Sequence, residues 1–311
     1  MISLKQLRYF SAVAQHAHFG KAAEFCNVTQ PALSMQIRVL EKDLNLELFE
    51  RRQQGVQLTD AGQDILDRAQ SILNAVRDLS DYAHHHNQLL TGSLRFGVIP
   101  SIAPYILPPL LPKLRDRYPG LDLRIRETLT ETLVDELIDR QLDLLLLALP
   151  IEHQEVETLA LFEDRFQLAS PPGWQPERAA PKASSGGRRN RTELRASPES
   201  LEDGRLLLLE EGHCLRDQAL AFCQLRQVDN FDTFGASSLS TIVQMVANGM
   251  GLTLLPEISV AVEARHGDIQ VIPFEAPEPS RTVGLVWRKS SPRKPDFQAI
   301  GEMVGDVVTV G

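Results

Sequence analysis

The sequence predicts an α/β protein made of a winged helix-turn-helix module, one long self-pairing helix and two similar β-α-β-α-β halves. Three observations carry that expectation. Short helical stripes broken by Asn27-Val28-Thr29 precede a hairpin signature between Phe49 and Leu58. Apolar residues then recur at alternating steps of four and three from Ile65 to Ala83. Past residue 90, short apolar strands alternate twice with amphipathic stretches, the pattern of strands wound on both sides by helices.

Composition narrows the class. At 311 residues the chain holds two or three domains with cores of their own. A hydrophobic share of 43% beside 23% charged residues suits a soluble globular protein. No apolar run reaches the roughly 18 residues a membrane span needs, and no charged segment leads an apolar one at the amino terminus. The expected location is the cytoplasm, at the nucleoid. Three cysteines are too few for a disulfide framework. The net charge of −9 is unevenly spread: residues 1–60 carry seven Lys/Arg and six Asp/Glu, the remainder 25 and 35. Contact with nucleic acid is therefore expected only near the amino terminus.

Residues 1–58 read as that contact. Leu7, Phe10, Val13 and Ala14 mark one helix, His18 to Phe25 a second, and Gln30 to Leu44 a third after the Asn27-Val28-Thr29 turn. Thr29 suits the N-cap, and Pro31 suits a first turn whose amides have no partner. Gln30, Ser34, Met35 and Arg38 share the exposed side, as major-groove readout requires. Arg51 and Arg52 precede a glycine turn, which places cations of a hairpin wing near phosphate. Cys26, in the second helix, is expected to pack.

Residues 59–90 form the linker. From Thr59 as N-cap, Ile65, Ala69, Ile72, Val76, Leu79 and Ala83 make a seam for a second copy of the same helix. His84 to His86 follow without a cysteine or carboxylate cluster, so they read as a solvated helix end, with no metal or cofactor expected.

Residues 91–311 contain the two halves. The first runs Leu94 to Ile99, Pro104 to Asp116, Asp122 to Arg126, Thr130 to Arg140 and Leu142 to Ala148; the second runs Leu206 to Leu209, a helix at Cys214, Asp232 to Phe234, Ser240 to Asn248 and Leu252 to Leu255. Parallel sheets follow, with a ligand site expected beyond the carboxyl ends of their strands. Residues 171–200, rich in Pro, Ser, Gly and Arg, read as a flexible surface insertion.

The stretch Glu211 to Cys223 holds two of the three cysteines. Leu215, Ala219, Leu220, Phe222 and Cys223 suit an amphipathic helix with Cys214 in its first turn. There the unpaired amides, His213 and Arg216 would favour a thiolate. Nine residues along one helix rotate by roughly 900° and rise about 13 Å, so the two sulfurs lie on opposite faces. A bond between them would require the helix to unravel or bend. Two inert, buried thiols are the competing reading.

Leu7-Arg8-Tyr9-Phe10, Ala22-Ala23, Thr29-Gln30-Pro31-Ala32-Leu33-Ser34, Leu40-Glu41, Leu48-Phe49-Glu50-Arg51 and Leu58-Thr59-Asp60-Ala61-Gly62 resemble the LysR-type transcriptional regulators. The resemblance implies a winged helix-turn-helix, a dimerising linker and a two-lobed effector domain like the periplasmic binding proteins. Lobe I would comprise 91–164 and 282–311, lobe II 165–281. It also implies double-stranded operator DNA and RNA polymerase as partners, and a homo-oligomer, expected to be a tetramer.

Gly212-His213-Cys214-Leu215-Arg216-Asp217-Gln218-Ala219, Phe222-Cys223, Ile99 to Pro108 and Arg281 to Val286 resemble the hydrogen-peroxide-sensing branch of that family. By that resemblance Cys214 is the peroxidatic cysteine and Cys223 resolves it as a disulfide. Ser101, Thr130 and His213 would line the peroxide pocket, with Asp217 and Arg281 orienting the helix or the cysteine. Ser101 stands where that branch often carries threonine, which keeps a hydroxyl but changes packing. Ser101 and Thr130 could instead be plain N-caps. The function implied is a regulator, not an enzyme, that activates antioxidant genes on oxidation. The alternative keeps the DNA module and gives the cleft a small metabolite, with Ser238-Leu239-Ser240-Thr241 receiving its carboxylate.

Overall fold

The computed structural model describes residues 1–52, 55–85, 89–175, 194–201, 204–225 and 231–309. Contacts divide the chain into two compact units, 1–87 with 139–141, and 88–138 with 142–311.

The first unit contains α1 (Leu4–His16), α2 (Phe19–Phe25), α3 (Gln30–Leu44), the strands β1 (Phe49–Arg52) and β2 (Gly55–Leu58), and α4 (Asp60–His85). Ser3 and Gln6 form a reciprocal capping box at the start of α1. His18 caps α2, its Nδ1 accepting from the amides of Gly20 and Lys21. Thr29 has the extended backbone of an N-cap for α3, yet its hydroxyl makes no capping bond; the expected side-chain cap is absent, and Pro31 in the first turn removes one of the amides needing it. Phe10, Val13, Ala22, Leu33, Ile37 and Leu40 form the core. Cys26 follows α2 instead of lying within it, half-buried against this core, and burial pushes its thiol pKa up.

β1 and β2 pair antiparallel as the wing, with Arg51 opposite Val56 and Arg52 opposite Gly55. The chain turns into α4 through Thr59, whose hydroxyl donates to Glu47 O and accepts from the Gly62 amide. A Cβ on Gly62 would run into the Leu48 carbonyl. Gly62→Ala is therefore expected to destabilise this unit by about 1–3 kcal/mol, because backbone must shift to admit the methyl group. Chemical denaturation measures the difference, and a wild-type midpoint would contradict the close approach. Along α4, Ala69 is buried and Ile65 half-buried in the unit's own core, while Ile72 and Leu79 are 47% and 68% exposed. His84 and His85 end α4; their side chains and all of His86 lie outside the described residues.

The second unit runs β3 (Gly92–Val98), α5 (Ala103–Arg117), β4 (Leu121–Glu127), α6 (Thr130–Ile138), β5 (Leu144–Leu149), β6 (Val156–Ser170), β7 (Leu206–Leu209), α7 (Cys214–Leu225), β8 (Phe231–Ala236), α8 (Leu239–Ala247), β9 (Thr253–Pro256), α9 (Glu257–His266), β10 (Gln270–Pro273), β11 (Ser280–Arg288) and α10 (Lys294–Val308). Each of the ten elements expected from the two halves appears, within two residues at nearly every end. β3 is parallel to β4 and β5, and β7 to β8. The parallel pairing expected within the two halves is present, and antiparallel strands outside the repeat complete the sheets. β11 is antiparallel to β5 and β6, and β6 is antiparallel to β9 and β10. Neither β6 nor β11 is entered through a crossover helix, the device that makes neighbouring strands parallel.

Two cores result. Phe96, Leu145, Val283, Phe297 and Ile300 belong to the first; Leu206, Leu254, Phe274, Ile242 and Val246 to the second. The runs Leu144–Leu147 and Leu206–Leu209 are buried throughout, as strands covered on both faces must be. β6, with 15 residues, supplies Val156 to the first core and Leu168 to the second.

The described ends of the stretch 171–200 belong to the fold. Trp174 and Leu194 pack against the second core, Ala196 is buried within it and bridges to Phe274, and Leu201 is fully buried. Residues 176–193, including its paired arginines, lie outside the described residues. No described helix is long and apolar enough to cross a membrane.

Candidate functional site

The chain reaches α7 through Gly212, whose φ of +90° lies in the left-handed region that glycine tolerates best. A Cβ there would come within 2.9 Å of Leu129 Cδ1, so the turn sits against the residue that leads into α6. Beyond the turn, His213 O accepts from the amides of Arg216 and Asp217, which makes Cys214 the first residue of α7. Its own amide belongs to the unpaired first turn and the positive end of the helix dipole. Cys214 is half-buried and packs against the first core. Cys223 lies nine residues on in the same helix, its side chain outside the described residues.

Several polar atoms around this turn are buried with no hydrogen-bond partner: Thr130 Oγ1, Arg216 Nε and Gln218 Oε1. Thr130 opens α6, but its hydroxyl does not cap it. Arg216 is mostly buried and reaches the exposed Glu211 at 3.4 Å. Asp217 is exposed in the first turn, where its charge favours the helix start.

His213 departs from the electrostatic role expected of it. It is 7% exposed, and burial lowers its pKa from the usual 6.5 against the opposing pull of Glu210, 4.0 Å away. At neutral pH the imidazole is uncharged, so of the two flanking residues only Arg216 carries a positive charge. The linkage has a definite sign. The folded pKa lies below the unfolded one, so the unfolded chain takes up the proton first on acidification. Stability contributed by neutral His213 is present above pH 6.5 and falls as pH drops from there toward the folded value. His213→Gln should flatten that part of the stability–pH curve in urea denaturation, and an unchanged slope would count against it.

A second polar group joins β11, β6 and the residues leading into α5. Arg281 Nε donates to Asp164 Oδ2 at 2.9 Å, while its two terminal nitrogens donate to Ser101 Oγ at 2.8 Å and Ser101 O at 3.1 Å. The side chains of Arg281 and Asp164 are both fully buried. Asp164 Oδ1 accepts from the Ile258 amide at 3.1 Å. Burial pushes the Asp164 carboxyl up, against Arg281 and the amides of Ile258 and Glu257. Ser101 is thus an acceptor for Arg281, and Ile102, not Ser101, occupies the cap of α5. Among the described residues no hydrogen bond joins this group to the Cys214 turn.

The hydroxyls offered to a carboxylate effector are engaged within the protein. Ser238 Oγ accepts from the Thr241 amide and bonds its hydroxyl, and Ser240 Oγ donates to Glu263 at 2.8 Å. Tyr105 OH also donates to Glu263, at 2.7 Å, and burial beside that carboxylate raises the Tyr105 pKa. A 3%-exposed carboxylate at this helix start opposes an anionic ligand.

On the first unit, Thr29, Gln30, Pro31, Met35 and Arg38 are exposed and Ser34 is half-buried. Arg51 and Arg52 lie on β1, with side chains outside the described residues.

Sequence reasoning passed over Asp164, Glu263 and Gln218. Gln218 could have been found, since it lies four residues after Cys214 on one helical face. Asp164 could not: it faces Arg281 across two antiparallel strands 117 residues apart.

Comparison with known proteins agrees with this architecture. Residues 4–63 match the bacterial regulatory helix-turn-helix protein, lysR family, and residues 87–309 match the LysR substrate binding domain. The chain is 36% identical over 305 residues to the DNA-binding transcriptional dual regulator OxyR of Escherichia coli K12, covering 97% of this chain and 95% of that protein. It is 41% identical over 300 residues to a probable hydrogen peroxide-inducible genes activator of Streptomyces viridosporus, covering 96% and 92%. Among solved structures, a cysteine-to-aspartate variant of full-length Pseudomonas aeruginosa OxyR superposes with a TM-score of 0.73 at 36% identity, covering 98% of this chain and 95% of that one. A hydrogen-peroxide-bound cysteine-to-serine variant of Corynebacterium glutamicum OxyR gives 0.64 at 33% identity, covering 99% and 94%. A helix-turn-helix unit with a wing, a two-core effector unit and relatives matched over nearly their whole length lead to one assignment: the chain belongs to the LysR family of transcription regulators, within its OxyR group.

Proposed function

We propose that this regulator senses hydrogen peroxide through Cys214 and resolves the product with Cys223. The Cys214 thiolate attacks one peroxide oxygen and breaks the O–O bond; the departing oxygen takes a proton and leaves as water. The resulting sulfenic acid condenses with the Cys223 thiol, forming the S–S bond and releasing a second water.

The observation that carries this reading is the set of buried, unpartnered polar atoms at the start of α7. Leaving such atoms unpaired costs about 1–3 kcal/mol each, so they mark a place for a small polar guest. Thr130 Oγ1 can donate to or accept from peroxide, and Arg216 Nε can donate. The N–H of neutral His213 can donate to the departing oxygen, and Asp217 steadies the helix start. Arg281 fixes the Ser101 hydroxyl, which completes the polar side of the pocket.

α7 is continuous from Cys214 to Leu225, so the two cysteines are separated by about 13 Å of helix rise. A disulfide needs Cα atoms roughly 4–7 Å apart. Closing the bond therefore opens α7, and the opened segment selects a different arrangement of the subunits on DNA. Thr29, Gln30, Pro31, Ser34, Met35 and Arg38 read the major groove while Arg51 and Arg52 approach phosphate. Exposed Ile72 and Leu79 on α4 pair with a second copy, building toward a tetramer that recruits RNA polymerase to antioxidant genes.

Peptide mass spectrometry after one equivalent of peroxide tests the chemistry. The expected product is a Cys214–Cys223 crosslink with two hydrogens lost and Cys26 still reduced. Oxidation confined to Cys26, or none at all, would refute the reading.

A further inference from the structure

Where α5, β6, α9 and the end of α10 meet, the second unit encloses a cavity of about 650 Å³, within the roughly 300–1,000 Å³ typical of small-molecule sites. None of the described residues of α7 line it. Its walls are apolar: Ile106 and Val307 are buried, and Phe162 and Ile258 are half-buried. Phe162 presents an aromatic ring for stacking or edge contact.

The polar groups around the cavity define which head group fits. Asp164 is consumed by Arg281 and the Ile258 amide, and the Tyr105 hydroxyl already donates to Glu263. Glu163 and Glu257 remain at the exposed rim with Lys113. Glu163 accepts the Ser280 and Thr282 hydroxyls, yet a carboxylate has about four lone-pair sites and can accept more. The rim is therefore rich in acceptors and carries more negative than positive charge. An anionic ligand meets repulsion there, whereas an uncharged molecule with an N–H or O–H finds acceptors.

We propose that this cavity binds an uncharged aromatic molecule bearing one hydrogen-bond donor, of the indole or phenol class, and that its occupancy alters the reactivity of Cys214. The coupling half rests on the peroxide reading: Asp164 lines the cavity and, through Arg281, is the fixed end of the linkage that holds Ser101. A ligand that binds one setting of that linkage better than another shifts it.

Binding is measured first on full-length Cys214→Ser protein, so that it does not depend on the peroxide chemistry. Titration calorimetry with indole should show one saturable site per chain, and indole-3-carboxylate should bind about tenfold more weakly because its charge faces the acidic rim. Ala261→Trp, on the exposed face of α9 lining the cavity, should abolish indole binding. Glu257→Gln, at the exposed start of α9, should narrow the difference between the two probes and serves as the second variant should the first fail to fold. No saturable binding, equal affinity for the carboxylate, or undiminished binding in Ala261→Trp would overturn the site. A change of oligomeric state in Ala261→Trp by light scattering would assign the cavity to a second copy and overturn it also. In wild-type protein, saturating indole should change the rate of Cys214 oxidation by peroxide. An unchanged rate with binding intact removes the coupling, and absence of any oxidation removes the peroxide reading while the binding result stands.

Discussion

Cys214→Ser is expected to abolish the peroxide-dependent change in DNA footprint completely while leaving the reduced-state footprint in place. The substitution exchanges sulfur for oxygen at the first position of α7 and keeps the side chain nearly the same size. Cys214 is only half-buried, so the packing cost stays below about 1.5 kcal/mol and the fold survives. What is lost is the nucleophile: a serine hydroxyl is not ionised at neutral pH and does not attack peroxide. Cys223→Ser should behave differently. Cys214 still reacts, but its sulfenic acid finds no second thiol and proceeds toward sulfinic acid with excess peroxide. Cys26→Ser should change nothing, because burial holds that thiol protonated in the other unit. Footprinting before and after stoichiometric peroxide, with mass spectrometry of the three cysteines, separates these outcomes. A Cys214→Ser protein that still shifts its footprint would refute the assignment.

Much of this arrangement was legible in the residues themselves because it is local. The Asn27-Val28-Thr29 turn, the hairpin around Gly55 and the helix beginning at Cys214 each follow from a few neighbouring residues, and each occurs where the pattern put it. The two repeats were equally readable, since all-apolar runs such as Leu206–Leu209 have no exposed face to disguise them. Features that depend on residues distant in sequence were not. β6 and β11 carry mixed burial along their length, and their antiparallel pairing appears only once both are folded. The Ser101–Arg281–Asp164 linkage spans 180 residues in one bond and 117 in the other. Burial decided the remaining differences. His213 sits where a cation was expected, but the few surrounding atoms that leave it 7% exposed favour the neutral ring, and no sequence window reports that. N-capping was the competing reading for Thr130 and Ser101; one is instead buried without a partner and the other is held by an arginine.

Arg281→Met should destabilise the effector unit by about 3–5 kcal/mol, the usual cost of leaving a buried charge without its partner. Arg281 and Asp164 are both completely screened from solvent, and the guanidinium satisfies Asp164, the Ser101 hydroxyl and the Ser101 carbonyl together. Methionine fills similar volume but removes all three donors, and only amides at the start of α9 remain on the carboxylate. The pH dependence follows from the direction in which the carboxyl moves. Burial already pushes Asp164 above its ordinary 3.8, and loss of Arg281 takes away the largest opposing attraction. A carboxyl whose folded pKa exceeds its unfolded value contributes stability that is present below the unfolded value and lost as pH rises through the folded one. The variant's deficit should therefore be smallest near pH 4 and grow toward neutrality. Asp164→Leu in the same chain should recover most of it, since an apolar pair of similar size can replace a buried ion pair without leaving a charge behind. The double variant also separates stability from sensing: its fold is restored while the Ser101 hydroxyl lacks its donor, so its rate of Cys214 oxidation should remain below wild type. Urea denaturation across pH and peroxide kinetics on the three proteins test this. A single variant as stable as wild type would show that the linkage does not stabilise this unit, and a double variant that oxidises at the wild-type rate would show that it does not set Ser101 for the reaction.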